Sequence, residues 1–173
     1  FIYVKNILDT KIKNRLDIER NSLVPFLGDI PRSDSSDELI NATSRTSSAE
    51  ALRIIRTNIE FLLNNKSDTT AKTVFITSTF PKEGKTFVSV NIAGTIALSG
   101  KKVLLIGMDV RNPKLNDYIT LPSKGLTNYL AKNDQEINDY IVKVDGFDNL
   151  YALPSGVIAP NPVNNEVEIA FPN

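Results

Sequence analysis

Apolar residues recur along this chain in more than one rhythm, and each rhythm predicts an element. From Ser47 onward, Leu52, Ile55, Ile59 and Leu62 return at three- and four-residue spacing. At 100° per residue they form a single stripe, which predicts a helix with one buried face. Its start is marked by Ser47-Ser48-Ala49-Glu50, which fits a capping box: the Ser47 hydroxyl caps the first turn and Glu50 reaches back. KTVFIT, 72–77, is a short β-rich run that predicts a strand. From Thr86 to about Ser99 the pattern is helical again, through Val88, Ile92 and Ile96, with Gly100 placed as a C-cap. KVLLIGM, 102–108, is nearly continuous in apolar residues, as expected of a strand buried on both faces. Strand, loop, helix and strand in that order make a βαβ unit, hence a parallel sheet and a right-handed crossover. Short helices are expected near 125–131 and 135–143, and a last strand near 149–153.

The stretch ahead of these elements has a different texture. KNILDTKIKNRLDIER, 5–20, sets Ile12 and Leu16 four apart among alternating charges and predicts an exposed helix or juxtamembrane segment. SLVPFLGDIP, 22–31, is apolar but contains two prolines, so it should be extended and lie at an edge. PRSDSSDELINATSR, 31–45, reads as a linker. The expected division is therefore 1–46, a juxtamembrane segment and linker, and 47–173, the folded domain. FIYV at the start is open to two readings, a strand start or the last turn of a membrane span. No run approaches the roughly 20 apolar residues that a span requires.

Composition narrows the chemistry. The 173 residues are 41% hydrophobic, which suits one domain with a buried core. Lys+Arg and Asp+Glu balance at 20 each, so net charge gives no footprint for nucleic acid. There is no cysteine and no histidine. Disulfides, Cys/His zinc sites, a histidine base and a cysteine nucleophile are all excluded. Any acid–base or nucleophilic work falls to a carboxylate, a lysine or a hydroxyl.

One loop meets that requirement. TSTFPKEGKT, 77–86, matches the end of the phosphate-loop pattern, with Gly84, Lys85 and Thr86 in place and Thr79 where the first glycine belongs. Gly84 permits a backbone geometry that lets successive N–H groups face one anion. Lys85 would place its ammonium on the β- and γ-phosphates, and the Thr86 hydroxyl would take one Mg²⁺ position. The helix opening at Thr86 adds its partial positive charge. A Gly-Lys-Thr tripeptide alone is a weak signal, compatible with a purely structural turn. Its place between a strand and a helix favours nucleotide binding. Asp109, at the carboxyl end of KVLLIGM, stands where parallel sheets bind ligands. It reads either as a Mg²⁺ carboxylate or as a turn residue capping Asn112-Pro113, and coupling to the loop favours the metal. Glu50, Arg53 and Arg56 step by three along a stripe separate from the apolar one. By themselves they read as a solvated face with weak local ion pairs.

Taken together these segments resemble the bacterial tyrosine kinases (BY-kinases) of capsule and exopolysaccharide biosynthesis, which are related to MinD/ParA ATPases. The resemblance runs from about Lys11 to Pro162. EALRIIRTNIEFL resembles the helix before the family's first strand, STFPKEGKT its Walker A, and VLLIGMDVRNPKL its Walker A′. GLTNYL and NLYALPSGVIAPNP resemble the segments that follow, and KIKNRLDIERNSLVPFLGDIP the stretch leaving the second transmembrane helix. The resemblance implies an α/β fold, a P-loop NTPase-like parallel sheet flanked by helices, with an N-terminal juxtamembrane segment. It implies an ATP- and Mg²⁺-dependent protein-tyrosine autokinase at the cytoplasmic face of the inner membrane, regulating polysaccharide polymerisation and export. Pro81, Lys82, Glu83, Gly84, Lys85, Thr86 and Phe87 would bind nucleotide. Lys85 and Asp109 would be catalytic, and Thr86 and Asp109 would hold the metal. Glu50, Arg53 and Arg56 would match the family's E-x-x-R-x-x-R oligomerisation motif and assemble a homo-oligomeric ring. That reading displaces the solvated face. The phosphate acceptors would be tyrosines in a neighbouring subunit's tail, the membrane partner an upstream transmembrane region, and nucleic acid no partner.

The sequence departs from the family pattern at three places. Gly107 stands where the first Walker A′ aspartate belongs, which removes a carboxylate. After Pro162, NNEVEIAFPN loses the family's helical pattern. The sequence then ends before a Walker B strand or a tyrosine cluster, so these 173 residues by themselves are expected to be catalytically crippled. Two other functions stay open: a MinD/ParA-like ATPase, which would use the same loop but which the E-x-x-R-x-x-R helix and the juxtamembrane-like start argue against, and an assembly module that binds nucleotide without kinase activity, which Gly107 keeps open.

Overall fold

The computed structural model describes residues 15–32, 39–63, 71–131 and 136–157. FIYV, Ile12 and the segment after Pro162 lie outside the described residues. Helix α1, Arg15–Asn21, is short and buries no residue. Arg15 pairs with Glu19 at 2.7 Å, four residues on, and its guanidinium lies 5.0 Å from the centre of the Phe26 ring. The apolar stretch that follows is extended, as its prolines dictate, but it lies along a helix and not at a sheet edge. Leu27 and Ile30 pack onto the core formed by α2, Ser47–Leu63. The Asn58 amide donates to the Leu27 carbonyl at 2.7 Å, and the Ser48 hydroxyl to Pro31 at 3.1 Å.

Helix α2 forms where its periodicity places it, with two corrections. The cap is Thr46, whose hydroxyl oxygen accepts from the Ala49 N–H at 3.2 Å. Ser47 is already helical, and Glu50 turns to Arg53 instead of reaching back. Leu52, Ile55 and Ile59 are buried, but Leu62 is exposed, and Leu63 packs in its place. The reason is angular: Leu63 follows Ile59 by four residues and returns closer to the stripe than Leu62 does.

Helix α3, Lys85–Leu98, is the centre of the fold. Val88, Ile92 and Ile96 face α2, as the sequence pattern predicts. Val90, Ala93 and Ala97 form a second stripe that packs on the sheet with Leu150, Ala152 and Phe147. A helix apolar on two sides belongs between two layers. Asn91 is fully buried in this helix. Its side-chain oxygen accepts from the Ile40 N–H at 2.7 Å and its amide donates to the Phe87 carbonyl at 3.0 Å.

The sheet contains β1, Val103–Ile106, β2, Val142–Lys143, and β3, Leu150–Leu153, in the order β1-β3-β2. β1 and β3 are parallel, with Val103 opposite Leu150 and Ile106 opposite Leu153, and β2 runs antiparallel to β3. Three expectations change here. Residues 71–78 form no strand: the run is β-rich, but no described neighbour supplies ladder partners, and Phe75 is exposed. The anticipated βαβ unit is therefore replaced by the parallel β1–β3 pair. β1 is half-buried on one face, where Val103 and Leu105 pack under α3, while Leu104 and Ile106 on the other remain exposed. The helix expected over 135–143 shortens, within the described residues, to a 3₁₀ turn at Ile137–Tyr140 that runs into β2.

Helix α4, Leu126–Leu130, docks its N-terminus on the segment after β3. Leu126 N–H donates to Pro154 at 2.8 Å and Thr127 N–H to Ser155 at 2.9 Å. The approach needs glycine, since a Cβ on Gly125 would lie 2.1 Å from the Pro154 carbonyl oxygen. No helix among the described residues is long and apolar enough to cross a membrane.

Replacing Asn91 by Ala leaves the buried Ile40 N–H without its acceptor and should cost about 1–3 kcal/mol. Urea denaturation checks this, and a loss below about 0.5 kcal/mol would show that the bond is dispensable.

Candidate phosphate-binding site

The site is built where the start of α3 meets the chain leaving β1. Ahead of the helix, the loop folds on itself: Phe80 N–H donates to Glu83 Oε2 at 3.1 Å, and the Ser78 hydroxyl to the Phe80 carbonyl at 3.1 Å. Lys82 takes a positive φ of 67°, and Gly84, the residue before the helix, takes φ 88° and ψ 11°. That left-handed step suits glycine, and nothing lies within 4 Å of where its Cβ would be. The space beside the helix N-terminus is open. The first N–H groups of α3 have no acceptor within the helix, so this end presents donors and partial positive charge.

Pro81, Lys82, Glu83 and Gly84 are exposed, and Lys85, Thr86 and Phe87 are half-buried at the first turn. The Phe87 side chain serves packing, with its ring 6.3 Å from that of Tyr118 and its contacts in the α2–α3 core. Lys85 is the residue whose ammonium reaches across: its Nζ lies 3.2 Å from Asp109 Oδ2. The other Asp109 oxygen, Oδ1, accepts from the Asn112 N–H at 3.0 Å. Asp109 therefore closes the turn at Asn112, as one of its two readings expects, and also meets Lys85 at the start of α3. The Asn112 N–H is the main cause that holds its carboxyl below the ordinary value of 3.8. Partial burial opposes the shift, and Lys85 reinforces it.

Gly107 has its own geometric reason. Its N–H extends the ladder to the Leu153 carbonyl at 2.9 Å. A Cβ there would meet Leu115 Cδ1 at 2.8 Å and Ser155 N at 3.0 Å. A side chain at this position requires the neighbouring chain to shift, so the site keeps Asp109 without a companion carboxylate at 107. Among the described residues, no group of three or more Asp and Glu could form a protein-only metal cage. An oxygen site that takes part of its ligands from a phosphate, as Mg²⁺ sites do, fits Thr86 and Asp109 better.

Glu50, Arg53 and Arg56 lie on α2, outside this cluster. Glu50 is exposed, but Arg53 and Arg56 are half-buried, not fully solvent-facing as the sequence suggests. Arg53 binds Glu50 and also donates to the Ser44 carbonyl at 2.7 Å. Arg56 Nε is buried without a partner among the described residues. Sequence reasoning missed Asn91 and Asn112. Asn91 could have been found as a polar residue interrupting an otherwise apolar helix, whereas Asn112 acts through its backbone and leaves no side-chain signal.

The architecture is that of a mixed α/β domain whose small, partly parallel sheet sets a glycine turn and helix N-terminus beside a strand-end carboxylate. No family model matches the chain. It is 41% identical over 115 residues to the tyrosine-protein kinase YwqD of Bacillus subtilis (strain 168), covering 66% of this chain and 46% of that one. Its fold is similar to the BceF tyrosine kinase domain, with a TM-score of 0.71, 30% identity and coverage of 87% of this chain and 65% of that. The kinase domain of the Escherichia coli tyrosine kinase ETK gives a TM-score of 0.67 and 29% identity, over 83% and 60% of the two chains. The chain belongs to the bacterial tyrosine kinase (BY-kinase) family, with its likeness in the kinase domain. It spans less than half the length of the curated relatives it matches.

The depressed Asp109 pKa sets a pH dependence. The stabilisation is fully present above the unfolded carboxylate's pKa and is lost as pH falls through the lower folded value. The melting temperatures of the parent and Asp109→Asn should therefore keep a constant gap from pH 7 to about 5 and converge below about 4. A gap that persists unchanged at pH 2 would remove ionisation of Asp109 as its source.

Proposed function

We propose that the chain carries the nucleotide-binding part of an ATP-dependent protein-tyrosine autokinase that regulates capsular or exopolysaccharide polymerisation and export. The observation that carries this reading is the convergence of Lys85 and Asp109 at the open N-terminus of α3. Supporting it is the kinship with proteins named as tyrosine kinases. In this reading the fold is a P-loop NTPase-like domain, with 47–173 its kinase part and 1–46 its juxtamembrane segment and linker. Residues 81–87 embrace the phosphates, with Gly84 and the first N–H groups of α3 facing the oxygens. Lys85 moves from Asp109 onto the β- and γ-phosphates. Thr86 and Asp109 hold Mg²⁺, which when bound offsets phosphate charge. The γ-phosphoryl group would pass to a tyrosine oxygen as its bond to the β–γ bridging oxygen breaks, the tyrosine proton would go to solvent, and ADP would leave. The acceptor tyrosines belong to a neighbouring subunit's tail, and the protein works at the cytoplasmic face of the membrane, anchored by an upstream transmembrane region.

Gly107 favours a second reading, a module that binds nucleotide to set assembly geometry without transferring phosphate. Incubating the full-length protein with Mg·ATP separates these outcomes. Phosphotyrosine supports the kinase, phosphate release alone a MinD/ParA-like ATPase, and binding with neither the assembly module. Lys85→Met should weaken ATP binding by roughly 10- to 100-fold, the loss of a charge-assisted bond of about 1.5–3 kcal/mol. The fold should survive because an exposed ion pair contributes only about 0–1 kcal/mol. Unchanged affinity by calorimetry would sink the phosphate-loop assignment.

The Glu50, Arg53 and Arg56 helix completes the proposal as the seam of a homo-oligomeric ring. Supporting it, Glu50 is exposed and Arg53 and Arg56 keep part of their surface open on the same helix. Arg forks meeting a neighbour's carboxylates give a repeated, directional contact that closes a ring. Arg56→Ala should convert the ring of the full-length protein to monomer in light scattering. Arg53→Ala should in addition cost about 0.5–1.5 kcal/mol of fold stability through the lost Ser44 bond. A ring that persists in Arg56→Ala would return this helix face to a local role.

A further inference from the structure

We infer that Lys85 and Asp109 latch each other in the empty site, so that nucleotide enters readily only with a divalent cation. This regulation of the phosphate site rests on the nucleotide-binding reading above.

The pair joins residues 24 apart in sequence, with Nζ to Oδ2 at 3.2 Å. Both ends are anchored from behind. The Lys85 carbonyl accepts from the Ser89 hydroxyl at 2.8 Å, which fixes the first turn of α3. The Asn112 N–H holds Asp109 Oδ1, leaving Oδ2 directed to the lysine. Two nearby features make Asp109 the residue on which this balance turns. Position 107 carries no carboxylate, and the loop's own Glu83 is turned to the Phe80 N–H.

A metal-free polyphosphate approaching this site meets two obstacles. The ammonium it needs is engaged, and the Asp109 charge stands beside the place its oxygens would occupy. A divalent cation answers both, since coordination by Asp109 neutralises that charge and frees Lys85 for phosphate. Each event favours the other, and the coupling is reciprocal. The side chains are 36% and 42% exposed. An ion pair this open is weak enough to be broken by a ligand, so it acts as a latch and does not close the site permanently.

Titrating ADP calorimetrically, with Mg²⁺ present and with metal chelated, tests the inference in the parent and in Asp109→Asn. Asparagine keeps an oxygen for the Asn112 N–H, so the turn is retained. Without metal the variant should bind ADP roughly fivefold more tightly than the parent, the upper range for losing an exposed ion pair. Mg²⁺ should strengthen ADP binding much more in the parent than in the variant. A second readout needs no nucleotide: the side-chain NMR signal of Lys85. Mg²⁺ alone should move it in the parent toward its position in Asp109→Asn, and should leave it unmoved in the variant. Equal metal-free affinities, or a Lys85 signal insensitive to the substitution, would overturn the latch while leaving nucleotide binding intact. Failure of the parent to bind Mg·ADP at all would instead overturn the nucleotide reading, and the latch with it.

Discussion

The structure depends on helix α3 being buried along two sides at once. Val90, Ala93 and Ala97 seat it on the sheet, and Ile92 with its neighbours seats it against α2. Held between layers, the helix has little freedom to slide or rotate, because close-packed interiors resist such displacement. Its first turn therefore stands at a defined place, and that turn carries Lys85. The buried Asn91 adds a polar fixture to the apolar ones, bonding to the segment before α2 and to the carbonyl of Phe87.

The parallel pairing of β1 with β3 supplies the other half of the site. It aims the chain leaving β1 toward the start of α3, which is how a residue 24 positions away comes within 3.2 Å of Lys85. The same pairing accounts for glycine at 107, whose neighbours approach too closely for a side chain to enter without displacement. Electrostatics at the site centre on the Lys85–Asp109 pair beside a helix end, with Lys82 and Glu83 exposed in the loop ahead of it. The arrangement suits an anion that arrives with a cation.

Much of this was legible in the chain. The period of Leu52, Ile55 and Ile59 gave α2 its buried face, and Gly84-Lys85-Thr86 located the start of α3. Asp109 could be placed at a strand end from the apolar run before it. The misreadings share a cause. KTVFIT has strand composition, but a strand exists only when a neighbour supplies hydrogen bonds, and none of the described segments does so. KVLLIGM reads as buried on both faces, yet burial depends on what packs against each side. Leu62 and Leu63 are indistinguishable in composition, and what packs against each side of α2 selected Leu63.

What the sequence by itself determined was local: helix periods, the glycine that permits a left-handed step, and the charged and hydroxyl groups that the loop carries. Those properties arise from backbone sterics and side-chain chemistry within a few residues, so they are written where they act. Tertiary structure alone decided which charges meet. Lys85 finds Asp109, and Asp109 finds the N–H of Asn112, only after the sheet and α3 have brought separate segments together. It also turned Arg53 from a surface charge into a brace for the Ser44 carbonyl. Such contacts are set by the path of the backbone through space, and no spacing of residues along the chain encodes that path directly.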